Sequence, residues 1–187
     1  ITHLVVHDHL EHMGGWTPYY YQIDYMMREI EKEKDDQVIL LSDFDEFPDL
    51  TNYQGQEGIF KQKLYYYYLN VYTGKDSWRG TVAVKKGNIK SLSSLRSKRK
   101  YLKRIGLGWH FSYVCSPEEI IQKIEAFCHQ ELNRPEIKAK VAENKTKLLD
   151  VFNRRKNTFT VEMPSGPEWL LCHKERYDHL FYQGDAS

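Results

Sequence analysis

Apolar residues at Ile23, Met26, Met27 and Ile30 recur at helical spacing and predict a helix over residues 19–34. Strand-length apolar runs flank it at 2–6 and at 38–41. Strand, helix, strand within about 45 residues is the βαβ pattern, whose two strands lie parallel. Further along, β-formers dominate 59–71 and 80–84 with Gly74 between them, which predicts a pair of strands. Ser116-Pro117-Glu118-Glu119 then combines a capping serine, a first-turn proline and first-turn acids. That helix keeps its spacing through Ile120, Ile121, Ile124 and Phe127 to about residue 132. A second helix over 135–152, a polar break at 153–157, a strand at 158–161 and a turn at 164–167 complete the pattern. The class is α/β, divided into a βαβ unit over 1–50, strands with a basic segment over 51–115, and a helical part over 116–187.

The strand at 38–41 runs into Ser42-Asp43-Phe44-Asp45-Glu46-Phe47-Pro48-Asp49, where four acids follow four apolar residues. In open α/β sheets ligands sit beyond the carboxyl ends of strands, so these acids stand where a ligand is expected. In an extended Asp-x-Asp segment both side chains share a face, and hard oxygen donors so placed suit Mg²⁺ or Mn²⁺ bound with a phosphorylated substrate. Asp43 and Asp45 are the candidate metal ligands. The bland alternative is an acidic strand-to-loop turn.

With 187 residues the chain has room for one domain with a real core, and its net charge of +1 argues against a nucleic-acid coat protein. The charge is uneven, however. No acid occurs between Asp76 and Glu118, while Lys and Arg recur from Arg79 to Arg104, so that segment presents a positive face. Cys115, Cys128 and Cys172 are odd in number and widely spaced, which fits neither a disulfide framework nor a zinc site. No apolar run reaches the roughly 18 residues of a membrane span. The expectation is a soluble protein of a reducing compartment, the cytoplasm of a bacterium or of a virus's host.

Three further constellations carry candidate chemistry. Gly106-Leu107-Gly108-Trp109-His110 reads as a loop in which backbone must come close to another group, with His110 a third ligand to the cation and Trp109 a platform under a sugar ring. Plain packing is the alternative for both. On a helix continued from Glu118, Glu125 and His129 share a face, and Glu131 near its end is a candidate general base. Tyr65-Tyr66-Tyr67-Tyr68 places at most two rings on one face and reads as half-buried strand residues. His3, His7, His9 and His12 match no zinc-binding spacing.

Four motifs in one order carry a resemblance: Ser42-Asp43-Phe44-Asp45-Glu46-Phe47-Pro48, Trp78-Arg79-Gly80, Gly108-Trp109-His110-Phe111-Ser112-Tyr113 with Pro117-Glu118-Glu119, and Phe127-Cys128-His129-Gln130-Glu131. Over residues 1–181 the chain resembles glycosyltransferase family 17. The resemblance implies a single GT-A-like nucleotide-sugar domain with a mostly parallel sheet flanked by helices, whose first strand in the family lies before Ile1. It implies metal-dependent, inverting transfer of a hexosyl or N-acetylhexosaminyl group to a glycan hydroxyl, with a nucleoside-diphosphate sugar, UDP-linked, as donor. Asp43 and Asp45 become the metal and diphosphate motif by the same comparison.

Inverting transfer needs negative charge stabilised on the leaving diphosphate and a base for the acceptor's proton. Asp43, Asp45, Arg79 and Trp109 are the donor-binding candidates, and Glu46, His110 and Glu131 the catalytic ones. A phosphoryl-transfer or nuclease-like metal enzyme is the rival, which requires a second acidic cluster. A nucleic-acid-binding module using the basic segment is the other, and it leaves the acids unexplained. The sequence does not define an oligomeric state.

Overall fold

A computed structural model describes residues 3–7, 16–75, 78–154, 159–163 and 165–184. Its strands are β1 (Val38–Leu41), β2 (Glu46–Pro48), β3 (Gly58–Tyr66), β4 (Val71–Tyr72), β5 (Trp78–Lys85), β6 (Arg104–Ser112) and β7 (Thr160–Val161). They form one mixed sheet in the order β1-β5-β3-β4-β7, with β6 beside β3 and β2 beside β6. Only β3 and β6 are parallel; every other pair is antiparallel. The class is α/β, as the pattern predicts, but the sheet is not mostly parallel.

The βαβ reading fails on its first strand. Residues 3–7 are in no strand, and β1 pairs with β5 in antiparallel fashion instead. Nor is β1 the buried central strand that four apolar residues suggest. It lies at an edge, where Leu41 is buried with Ile23 and Leu92 while Leu40 stays exposed. The cover over that buried side comes from α1 (Thr17–Tyr25) and α2 (Met27–Ile30), which replace the single helix predicted over 19–34, and from α3 (Leu92–Lys98). Asp24 on α1 accepts the backbone N–H of Ser93 at 2.9 Å and so ties α1 to the first turn of α3.

Curling of the sheet places the acids. From β1 through β5, β3 and β6 to β2 is four strand spacings, about 19 Å in a flat sheet. Yet Leu41 and Glu46 are joined by a turn in which the Glu46 N–H donates to Asp43 O at 3.1 Å and Ser42 Oγ donates to Glu46 O at 3.0 Å. Ser42 Oγ also shares a 2.7 Å hydrogen bond with Thr81 Oγ1 on β5. The two edges therefore meet, and residues 42–45 bridge them. Such curvature brings backbone close to side chains. A Cβ on Gly108 would lie 2.3 Å from Phe47 O, and one on Gly106 2.6 Å from the Phe60 ring. The close approach expected at these glycines is present, but inside β6 rather than in a loop.

Away from the acids the sheet is covered by aromatic and aliphatic side chains. Tyr65 packs with Leu69, Phe111 and Phe181; its neighbours Tyr66 and Tyr67 pack with Ile120, Ile124, Val141 and Val151. Tyr65, Tyr66 and Tyr67 are fully buried core, not half-buried. α4 (Pro117–Ala126) carries the predicted serine cap, which Glu119 completes into a capping box, and buries Ile120 and Ile124. It ends at Ala126, six residues short of the expected end, so Glu125 and His129 do not share a helix face. The helix predicted over 135–152 is two short ones, α5 (Pro135–Lys138) and α6 (Val141–Thr146). Leu148, at a φ of 51°, then turns the chain out of helical geometry. α7 (Glu168–Cys172) follows β7. Residues 155–158 of the predicted break and strand, and His9 and His12, lie outside the described residues. The three cysteines are free, and among the described residues no helix is long and apolar enough to cross a membrane.

Candidate active site

Because residues 42–45 turn rather than run straight, Asp43 and Asp45 do not share a face. Asp43 goes to Arg96 on α3, with which it forms an ion pair and a hydrogen bond. Asp45 goes to Lys123 on α4, whose Nζ donates to Oδ2 at 3.0 Å, and to His110 on β6, whose Nε2 is 3.7 Å from the same oxygen. Phe44, between them, is fully exposed. The expectation of two carboxylates on one side holds only for an extended segment, and the meeting of the sheet edges removes that condition.

The β2–β6 ladder sets the next pair: Glu46 is directly opposite His110. Both are buried. Glu46 Oε1 accepts from Trp78 Nε1 at 2.8 Å and Oε2 from the Asp43 N–H at 3.0 Å, while Arg99 Nη1 stands 3.6 Å from Oε1. Burial, and then the Asp43 carboxylate, push the Glu46 pKa up despite those hydrogen bonds. The His110 ring packs edge-on against Trp78 with centroids 4.6 Å apart. Its Nδ1 is buried, 3.8 Å from Glu46 Oε1 and without a hydrogen bond. Burial lowers the His110 pKa to about 4, against the pull of Asp45 and Asp43, so the imidazole is neutral at pH 7 with a lone pair to offer.

These groups open into a cleft of about 630 Å³ whose walls include Asp43, Asp45, Arg96, Arg99, His110 and Lys123. Trp16, Tyr19, Tyr20, Phe44 and Phe127 give it an aromatic rim. His129 also lines it, with its ring edge-on to Trp16 at 4.6 Å. The nearby Glu131 is exposed and hydrogen-bonds His129 Nδ1 at 2.6 Å, a contact that lowers the Glu131 pKa. A carboxylate on Nδ1 fixes the tautomer of a neutral imidazole and leaves Nε2 free to accept a proton, the logic of a positioned base.

Of the predicted residues, the fold thus unites Asp43, Asp45, Glu46 and His110, with Glu131 reaching the rim through His129. It does not bring in Trp109, whose side chain lies on the other side of β6 among Tyr65 and Phe111 and donates from Nε1 to Ser165 Oγ at 3.1 Å. Arg79 lies outside the cleft as well, in a hollow beyond Trp78. Sequence reasoning missed Trp16, Phe44, Lys123 and His129 as lining of the cleft. It saw Arg96 and Arg99 only as basic segment, although their spacing of three places both on one side of a helix.

The donor set fits a divalent cation in part. Asp45 Oδ2 and His110 Nε2, a hard carboxylate and a neutral imidazole 3.7 Å apart, are close to the roughly 3 Å that adjacent ligands of an octahedral ion span. Asp43 is engaged by Arg96, and among the described residues no group of three or more His, Cys, Asp or Glu is placed to hold a metal ion. An ion bound here would find two donors in this chain. Lys123, half exposed on a flexible stem, must leave Asp45 to admit it.

Compared with protein-family models, with curated proteins and with solved structures, the chain matches none.

Proposed function

We propose that this chain is a glycosyltransferase of the family 17 kind, with a GT-A-like site that takes a nucleoside-diphosphate sugar and transfers the sugar, with inversion, to a hydroxyl of a glycan. The observation that carries the reading is the cleft itself: a carboxylate and a neutral imidazole able to share a cation, flanked by cationic side chains and rimmed by aromatic rings. Aromatic faces suit sugars and bases; the polar groups suit a diphosphate. Asp45 and His110 would hold Mn²⁺ or Mg²⁺, whose positive charge would supply stabilisation of the departing diphosphate. Glu46 is not the base, because it is buried and both its oxygens are occupied. It holds Trp78 and the turn in place. His129, positioned by Glu131, accepts the acceptor's proton at Nε2 as the hydroxyl oxygen attacks the anomeric carbon and the bonding pair to the diphosphate leaves with it.

Thermal unfolding with UDP and with GDP, each with and without Mn²⁺, tests the reading. Saturating nucleotide with metal raises Tm by about 5–10 °C. The rise disappears without Mn²⁺ and in Asp45→Ala. Equal stabilisation in EDTA and in that variant would remove the metal-dependent donor site from the proposal.

A further inference from the structure

Behind the cleft lies a second hollow of about 330 Å³ that shares Trp78, Arg96, Ser97 and Arg99 with it and extends to Arg79 and Lys100. Among the described residues no acid lines it. Two of its cations have carboxylate neighbours on the cleft side: Arg96 is paired with Asp43, and Arg99 stands 3.6 Å from Glu46. That second pair is incomplete, for Arg99 Nη1 is buried and makes no hydrogen bond. Arg79 and Lys100 are exposed and form no ion pair among the described residues; Lys100 only packs over the Tyr101 ring at 4.9 Å. Burial, then the neighbouring Arg96, depress the Arg99 pKa by more than Glu46 and Asp43 raise it.

Arg99 turns its buried Nη1 toward Glu46, and the hollow sets its guanidinium among four more cations, Lys75, Arg79, Arg96 and Lys100, a crowding that an anion relieves. We propose that this hollow is a phosphate-binding subsite that holds its ligand by Arg99, Arg79 and Lys100 without a metal ion. Guanidinium forks match phosphate oxygens, and three cations match a dianion. The wall shared with the cleft lets a ligand seated there place a phosphate group in the hollow. The subsite stands whether or not the chain is a sugar transferase, since none of Arg79, Arg99 and Lys100 is ion-paired with Asp45 or His110, whose neighbours are each other, Lys123 and Glu46.

Isothermal titration with inorganic pyrophosphate and with inorganic phosphate, in EDTA, tests it. Pyrophosphate binds the wild type, and the exposed double variant Arg79→Gln/Lys100→Gln binds it about tenfold more weakly. Asp45→Asn binds it as wild type does, which separates this subsite from the cation site. Arg99→Gln gives the larger loss if its fold, checked by circular dichroism, is kept. Repeating the titration with UDP and Mn²⁺ present identifies the source of the phosphate: competition assigns the hollow to the donor's diphosphate, and undisturbed binding to a phosphate on the second substrate. No binding in EDTA, or binding that the double variant leaves within twofold, overturns the subsite. A single-stranded oligonucleotide that binds tenfold tighter than pyrophosphate through the same two cations overturns the small-ligand assignment.

Discussion

β3 and β6 run through two regions that differ in almost every physical respect. In one, around Tyr65 to Tyr67, side chains are buried and polar atoms are paired: Tyr67 donates to Leu149 O at 2.8 Å and Tyr65 donates to Glu162. In the other, around Glu46 and His110 and one ladder step away, where Leu64 lies opposite His110 and Tyr65 opposite Phe111, the sheet's edges meet and buried groups go without partners, among them Gln62 Oε1, Arg99 Nη1 and His110 Nδ1. Unmet buried polar atoms cost stability and persist where another group is to meet them. The aromatic region holds the fold, and the polar region is where the proposed site lies.

That division breaks first at Ile124, fully buried against the tyrosines. Ile124→Ala lowers unfolding free energy by about 2–5 kcal/mol in urea. In the fraction still folded, UDP stabilises as before; a lost nucleotide response would show that the two regions are not separable. Asp150 gives the next largest effect. It is buried, accepts from Arg154 Nη2 at 2.9 Å and from the Phe152 N–H at 2.9 Å, and although burial raises its pKa, these bonds outweigh it and the pKa is lowered. A depressed folded pKa contributes stability above the unfolded value of about 3.8 and loses it as pH falls through the folded one. Asp150→Asn should therefore cost about 2 kcal/mol at pH 7, and the gap to wild type should close below pH 3.8. A gap that persists at lower pH would mean that the loss is packing and not charge.

A smaller effect belongs to the polar region. Trp78→Phe leaves Glu46 Oε1 without its 2.8 Å donor, at a cost of about 1–3 kcal/mol. If the urea midpoint does not move, water or Arg99 already serves that oxygen, and the polar region is less strained than the contrast above supposes.

How much of this the sequence displays also differs between the two regions. The Ser116 cap, the apolar positions of α4 and helical structure from about residue 19 are local signals and are realised, the last as two short helices that begin at Thr17. Strand direction is not local. Val38–Leu41 looks like any buried strand, and its edge position and antiparallel pairing depend on where β5 and β6 lie. The acids and His110 are visible as motifs, but their meeting depends on ladder register and on the curl that turns an extended Asp-x-Asp into a bend. Trp109 was misplaced for a reason within reach: adjacent strand residues face opposite ways, so His110 and Trp109 cannot both enter one cleft.

The least disturbance of the fold, and the sharpest test of the division, comes from the cleft's rim. His129 and Glu131 are partly to fully exposed and bury little on either side, so His129→Gln and Glu131→Gln should each change stability by less than about 0.5 kcal/mol. If His129 Nε2 takes the acceptor's proton, His129→Gln lowers sugar transfer by about a hundredfold or more while the UDP and Mn²⁺ response in thermal unfolding stays unchanged. Glu131→Gln acts through His129 alone, by loosening its tautomer and orientation, so its loss is smaller and the pH–rate profile of transfer shifts with it. Equal losses of nucleotide response and turnover would make His129 a wall of the donor site. Turnover unchanged in both variants would return the base to another group in the cleft.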